Sequence, residues 1–184
     1  MKVSRDQMTQ NRSRILDQAA CLFRDKGFEA VSVAQIMKAA GLTHGGFYGH
    51  FASKDDLIAQ TMAHALSAQD QTTPGIGAVL GAYLSPAHRD APATGCPVAA
   101  FASDARRQTP GARAAMAEGI RAQIARMTDA LDRPDARDAA IAGWSAAVGA
   151  MILSRAIDDT ALSDEILNGT QRWLLAALEP ASDE

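Results

Sequence analysis

The chain has 184 residues, 47% of them apolar, 21% charged and 5% aromatic. That length buries a sizeable core without staples and the polarity excludes wholesale disorder; two cysteines make neither a disulfide framework nor a zinc motif; no apolar run approaches the roughly 18 residues of a membrane helix; and Met1 to Asn11 has no signal-peptide core. A soluble cytoplasmic protein without metal or cofactor is expected, and its formal charge of −3 is unevenly spread: residues 1–54 hold eight Lys/Arg against four Asp/Glu and the remainder ten against seventeen, so only the head suits a polyanion.

The elements read as helical throughout, because alanine dominates and no stretch alternates with period two. Ile15, Ala19, Leu22 and Phe23 form one face of a first helix, expected from near Thr9 to Lys26. Gly27 is its C-terminal stop, and Phe28 folds back onto the apolar face. Ser32-Val-Ala-Gln35 is a capping box that opens a second helix to Ala40, ended by Gly41. Thr43 caps a very short third helix, His44 to His50. Ser53 caps a fourth, Lys54 to about Ala68, whose Asp55 and Asp56 suit the positive end of the helix dipole. Leu57, Ile58, Thr61, Met62 and Ala65 lie along its inner side.

Gln69 to Pro74 reads as a loop or helix start, Ile76 to Leu84 as a short helix, and Ser85 to Gly95, with Pro86 and Pro92, as a mobile loop. Pro97 stands where a first helical residue belongs and opens a helix to about Gln108. Pro110 opens another, to Leu131, with Met116, Ile120, Ile124 and Met127 on one face. Pro134 separates it from a helix over about Asp135 to Ile157, and Ser163 caps the last, to Leu178. A total of about nine helices makes an all-α fold.

Val33 to Lys54, V-A-Q-I-M-K-A-A-G-L-T-H-G-G-F-Y-G-H-F-A-S-K, has the layout of a helix-turn-helix. Ala34, Ile36, Met37 and Ala40 give the first helix its apolar side, Leu42 and Phe47 plug the gap between the helices, and Phe51 ties the unit to helix one. The stretch Thr43 to His50 contains three glycines, each costing about 1 kcal/mol against alanine in a helix interior. Folding alone would not choose them. Glycine lets a backbone approach another surface closely, as a helix end in the DNA major groove must. Thr43, His44, Tyr48 and His50 offer donors on that side, and Lys54 adds a charge beside the free N–H groups of the next helix, a ready phosphate site.

Residues 9 to 66 resemble the N-terminal DNA-binding domain of the TetR/AcrR family of bacterial repressors. The resemblance rests on Leu22-Phe23, Gly27-Phe28, Ser32-Val33-Ala34, Ile36, Ala39-Ala40-Gly41-Leu42, Gly46-Phe47-Tyr48, His50-Phe51, Ser53-Lys54 and Leu57. It implies residues 1–53 as a three-helix DNA-binding domain and residues 54–184 as a helical ligand-binding and dimerisation domain. By the same resemblance Ser32 and Thr43 are phosphate-contacting caps, Tyr48 and Lys54 are phosphate contacts, and His50 stands where a contact is often made. His44, Gly45 and Gly46 take the positions that face base edges; Gly49 departs from the larger residues often found there. None of these is an Arg or Asn that reads a base bidentately, so specificity is expected to lean on DNA shape. The expected partners are a palindromic double-stranded DNA operator, a second copy of the chain and a small effector that releases a repressor.

The C-terminal body is read for two further sites. Trp144, Val148, Met151 and Ile152 on one long helix and Trp173 and Leu174 on the last form a candidate homodimer interface, or else fill a monomer core. Met62, Leu66, Tyr83 and Phe101, with Met116, Ile120 and Met127, are candidate linings of an effector pocket for a small apolar or aromatic molecule, or else plain core. Cys96, in Gly95-Cys96-Pro97, joins that group: at a helix N-cap its thiolate is favoured, which suits a sensor of electrophiles. The bland alternative is a small residue at a tight helix start. Cys21 reads as buried and inert. The competing function is a thiol-dependent enzyme or redox protein using Cys96, for which only His88 and Asp90 lie near in sequence. With no phosphate loop, zinc-protease motif or nucleophile elbow, a non-enzymatic regulator is expected.

Overall fold

The structure is a computed structural model that describes residues 4–67 and 75–178. Its described residues form nine α-helices and two 3-10 segments and no strand, an all-α fold. In chain order these are α1 (Arg5–Ala30), α2 (Val33–Ala39), a 3-10 segment (His44–Gly49), α3 (Lys54–Ser67), α4 (Ile76–Tyr83), α5 (Pro86–Arg89), a second 3-10 segment (Pro92–Thr94), α6 (Pro97–Ala105), α7 (Pro110–Asp129), α8 (Ala136–Arg155) and α9 (Thr160–Leu178). They gather into two compact units. One holds α1, α2, the first 3-10 segment, α3, α6 and α7 as far as Gly119; the other holds α4, α5, the rest of α7, α8 and α9. The expected loop Gln69 to Pro74, and the expected end of the fourth helix at Ala68, lie outside the described residues.

In the first unit, Ile15, Ala19 and Phe23 are buried on α1, while Leu22 sits half-buried at the edge of the stripe. The helix begins at Arg5, earlier than expected, because the Ser4 hydroxyl accepts the Gln7 N–H at 3.1 Å and caps it. It breaks where expected: Gly27 has φ +79°, a conformation that disfavours any side chain. Phe28 then returns to the core, edge-on to Phe23 at 5.1 Å and against Phe101 of α6 at 5.0 Å. α6 and α3 both pack on α1, and α6 also touches α3. A Cβ on Gly119 of α7 would lie 2.8 Å from Leu66, so the close approach of α7 to α3 depends on that glycine.

In the second unit, α8 and α9 form an antiparallel hairpin. Gly143 near the start of α8 faces Leu174 and Leu178 at the end of α9, and the Ser163 hydroxyl near the start of α9 donates to the Ser154 carbonyl near the end of α8 (2.8 Å). Two expectations change here. Ser163 is not the cap of the last helix: α9 starts at Thr160, the Asp159 carboxylate accepts the Leu162 N–H (3.1 Å), and Ser163 is buried inside the helix bonding to Ser154 and Arg89. The stretch Ser85 to Gly95 is not a bare loop. Ser85 caps the single turn α5 by accepting the His88 N–H, and Arg155 donates to the His88 and Arg89 carbonyls at 2.7 and 3.0 Å. Prolines that spoil a long helix suit these one-turn helices, where the first N–H has no partner to lose.

Candidate nucleic-acid interface

α2 is fixed at both ends by local chemistry. The Ser32 hydroxyl accepts the Gln35 N–H (3.2 Å) while the Gln35 side chain accepts the Ser32 N–H (2.8 Å), the reciprocal capping box expected. At the other end Gly41 has φ +70°, with Gly41 N–H donating to the Lys38 carbonyl and Leu42 N–H to the Met37 carbonyl, the paired bonds of a Schellman turn. The chain then enters His44–Gly49. This is a 3-10 segment and not the α-helix expected, and Thr43 makes no side-chain cap bond to it. Glycines at half its positions weaken the α form, and short runs with i→i+3 bonds tolerate that. Phe47 is its buried anchor, stacked at 5.7 Å on Phe51 and edge-on to Tyr48 at 5.2 Å.

Around that anchor the candidate contacts stand outward. Ser32, Thr43, His44, Gly45, Gly46 and Tyr48 are exposed, with Tyr48 at 72%, and His50 and Lys54 are half-buried. A Cβ built on Gly45 or Gly49 would meet nothing within 4 Å, and one on Gly46 only ordinary contacts. No internal packing demands glycine at these positions. Lys54 is the first residue of α3, whose start is capped by Ser53: its hydroxyl accepts the Asp56 N–H at 3.0 Å. His50 is held below the ordinary histidine value near 6.5, first by partial burial and then by the Arg12 charge. At neutral pH it meets a partner as an uncharged hydrogen-bonding ring.

Sequence reasoning missed Arg12 and Arg14, counting them only as head charge. Arg12 donates to the His50 carbonyl and to the Gln60 side chain and lies 4.6 Å over the Phe51 ring. Arg14 donates to the Asn11 side chain (3.0 Å) and reaches the Ala40 carbonyl (3.4 Å). Both tie α1 to the helix-turn-helix. Their partners lie up to 48 residues away, beyond any local pattern.

The body residues divide differently from expectation. Met151 and Leu174 are fully buried and Trp144 nearly so, within the chain's own core; Val148 is half-buried, and Ile152 and Trp173 are exposed, Trp173 at 63%. Met151 and Leu174 are therefore core residues and not surface ones. Of the effector-pocket candidates, Met62, Leu66, Cys96, Phe101 and Met116 belong to the first unit and are buried, while Tyr83, Ile120 and Met127 belong to the second. Two hollows of the second unit, of about 390 and 620 Å³, are lined by none of the eight. Cys96 is the N-cap of α6 with Pro97 as first helical residue, as expected, but it is buried at 7% exposure. Cys21 is half-buried, not buried, and its sulfur accepts from Arg24 at 3.9 Å; neither cysteine is in a disulfide. The His88 Nδ1 faces the Tyr83 carbonyl at 2.7 Å and Asp90 pairs with Arg89 at 2.7 Å. Burial lowers the His88 pKa, with the Arg155 charge adding to it and the Tyr83 carbonyl opposing.

No helix among the described residues is long and apolar enough to cross a membrane. Residues 15–61 match the family described as bacterial regulatory proteins, tetR family. The chain is 39% identical over 57 residues to the HTH-type transcriptional regulator AcrR of Shigella flexneri, and 36% identical over 52 residues to the HTH-type transcriptional repressor KstR2 of Mycobacterium tuberculosis. These stretches are 31% and 28% of this chain and 26% of each relative, so the match spans about a quarter of the relatives' length. The fold is similar over a greater length to the crystal structure of a TetR-family transcriptional regulator from Cytophaga hutchinsonii: TM-score 0.75, 22% identity, covering 99% of this chain and 100% of that one.

Proposed function

We propose, from the match of residues 15–61 to the tetR family of bacterial regulatory proteins and the likeness to AcrR, that this chain is a TetR/AcrR-type homodimeric transcriptional regulator which docks its 3-10 segment on duplex DNA. In this reading residues 1–53 bind DNA and residues 54–184 carry ligand binding and dimerisation. The observation that carries it is the exposed run His44–Gly49: anchored from beneath by Phe47, bare at Gly45 and Gly49, and flanked by Tyr48 and Lys54. Tyr48, Lys54, Ser32 and Thr43 set phosphate register, and His44 with the bare backbone of Gly45 and Gly46 faces the groove.

The second copy is proposed on α8 and α9. Ile141, Val148 and Ile152 lie along one side of α8, and Leu162 and Trp173 along one side of α9; four of these five are exposed large apolar residues. Gly149 and Gly169 on the same sides have nothing within 4 Å of a built Cβ, which leaves room for close helix approach. Two-fold symmetry then requires a palindromic operator. The regulator acts as a repressor, released when a small apolar or aromatic effector favours a body conformation that misplaces the heads; a coupling of about 1–3 kcal/mol gives a 5- to 150-fold change in operator affinity. The burial of Cys96 weighs against an electrophile acting there directly.

The test is a salt titration of binding to a labelled mixed-sequence duplex of about 30 base pairs, three helical turns. A steep fall of affinity with salt is expected; Lys54→Ala weakens binding and flattens the slope, whereas Tyr48→Phe, which removes no charge, weakens binding and keeps the slope. Binding that is absent, or indifferent to salt, overturns the reading.

A further inference from the structure

The loop from His50 to Ser53 joins the 3-10 segment to α3, and it is flanked by two candidate DNA contacts, His50 and the proposed phosphate contact Lys54. A chain of hydrogen bonds from α1 wraps this loop. The Arg12 guanidinium donates one N–H to the His50 carbonyl and another to the Gln60 side-chain oxygen, lying over the Phe51 ring. The Gln60 amide donates to the Asp56 Oδ1 at 2.7 Å, and the Asp56 Oδ2 accepts the Ala52 N–H at 2.9 Å. The loop backbone is thus held at His50 and at Ala52 by one connected set of side chains from α1 and α3. A fork of planar donors makes two directed bonds at once and stacks on a ring, which an ammonium cannot do. The Gln60 and Ala52 hydrogen bonds hold the Asp56 carboxyl below the usual carboxylate range, so it stays an acceptor throughout the neutral range.

We infer that Arg12, Gln60 and Asp56 are positioning residues that set where His50 and Lys54 meet the DNA backbone, and that Arg12 acts through this clamp instead of contacting a phosphate itself. The inference rests on the DNA-binding reading above. It explains why two head charges counted toward a polyanion differ in use: Lys54 begins α3 at the proposed surface, while Arg12 is turned inward on the loop it holds.

The experiment measures binding of the same labelled mixed-sequence duplex across salt for the full chain and for Arg12→Lys, Gln60→Met and Gln60→Glu, with folding checked by circular dichroism and thermal melting. Gln60→Met removes the link between Arg12 and Asp56 at similar length, leaving each with its own bond to the loop; Gln60→Glu keeps the acceptor for Arg12 and sets a charge against Asp56. The expected result is about tenfold weaker binding by Arg12→Lys and Gln60→Met, with the magnitude of the salt slope falling by about one where Lys54 no longer engages its phosphate. Gln60→Glu falls between these and the unaltered chain. A merely structural weakening lowers the folded fraction and leaves the slope of the folded fraction unchanged. If Arg12→Lys, folded, keeps the unaltered affinity and slope, Arg12 is an ordinary charge and the clamp is overturned; if Gln60→Met does so, it is overturned equally. If the unaltered chain itself shows no salt-dependent binding, it is the DNA-binding reading that fails.

Discussion

Between His44 and Gly49 half the residues have no side chain, and the surface they make is open backbone beside one exposed tyrosine ring. On α8 and α9 the exposed surface is the reverse: Ile141, Ile152, Leu162 and Trp173 present large apolar side chains at helical spacing. Under the proposed function the difference follows from what each surface would meet. A groove walled by phosphates rewards closeness of backbone and a few polar tips, since desolvating apolar bulk there gains little. A second copy of the chain rewards buried apolar area and aromatic anchors. Glycine serves in both units, but in two ways. At Gly45 and Gly49 nothing inside the chain needs it, whereas at Gly119 and Gly143 a Cβ would lie 2.8 and 2.9 Å from leucine side chains.

The largest expected effect tests the apolar surface. Trp173→Ala should weaken self-association by at least about 2 kcal/mol, roughly 30-fold in Kd, by sedimentation equilibrium, with little change in melting of the separated chain. An unchanged dimer would place the contact elsewhere and break the comparison. The glycines sharpen it. Gly119→Ala should lose about 1–2 kcal/mol of unfolding free energy, because Leu66 Cβ itself stands in the way and the helices must part. Gly49→Ala should leave stability unchanged or raise it by about 0.5–1 kcal/mol, yet weaken DNA binding about fivefold, roughly 1 kcal/mol. Equal DNA affinity in Gly49→Ala would mean that bareness is not there for close approach.

The smallest effect compares the two histidines whose pKa is lowered, His50 in the first unit and His88 in the second. In each, the folded chain binds its proton later than the unfolded chain does as pH falls. Stability from these groups is therefore full above the ordinary value near 6.5 and is lost as pH drops below it. Urea unfolding at about pH 8 and about pH 5.5 should show the loss. His88→Gln should reduce it more than His50→Gln, since His88 is the more enclosed ring and has Arg155 beside it.

What the sequence made legible was local. The break at Gly27, the Ser32 capping box, the turn at Gly41 and the Pro97 helix start each depend on residues within one or two turns of each other, and each stands where expected. The misreadings share a cause as well. Ser163 looks like a cap until Ser154 and Arg89 are brought to it from other helices. Met151 and Leu174 share the periodicity of Ile152 and Trp173, and periodicity alone does not say which side of a long helix faces the chain's own core. Arg12 shows the same limit at the candidate site: its role lies in partners 38 and 48 residues further along the chain.

The 3-10 form of His44–Gly49 changes the span that few residues can cover. At a rise of about 2.0 Å per residue these six positions extend about 12 Å, against about 9 Å for the same number in an α-helix. Laid along a duplex with about 3.4 Å between successive base pairs, the slimmer rod passes roughly one more step of the DNA for the same number of amino acids. A short segment with little side-chain bulk thereby gains footprint from its winding alone.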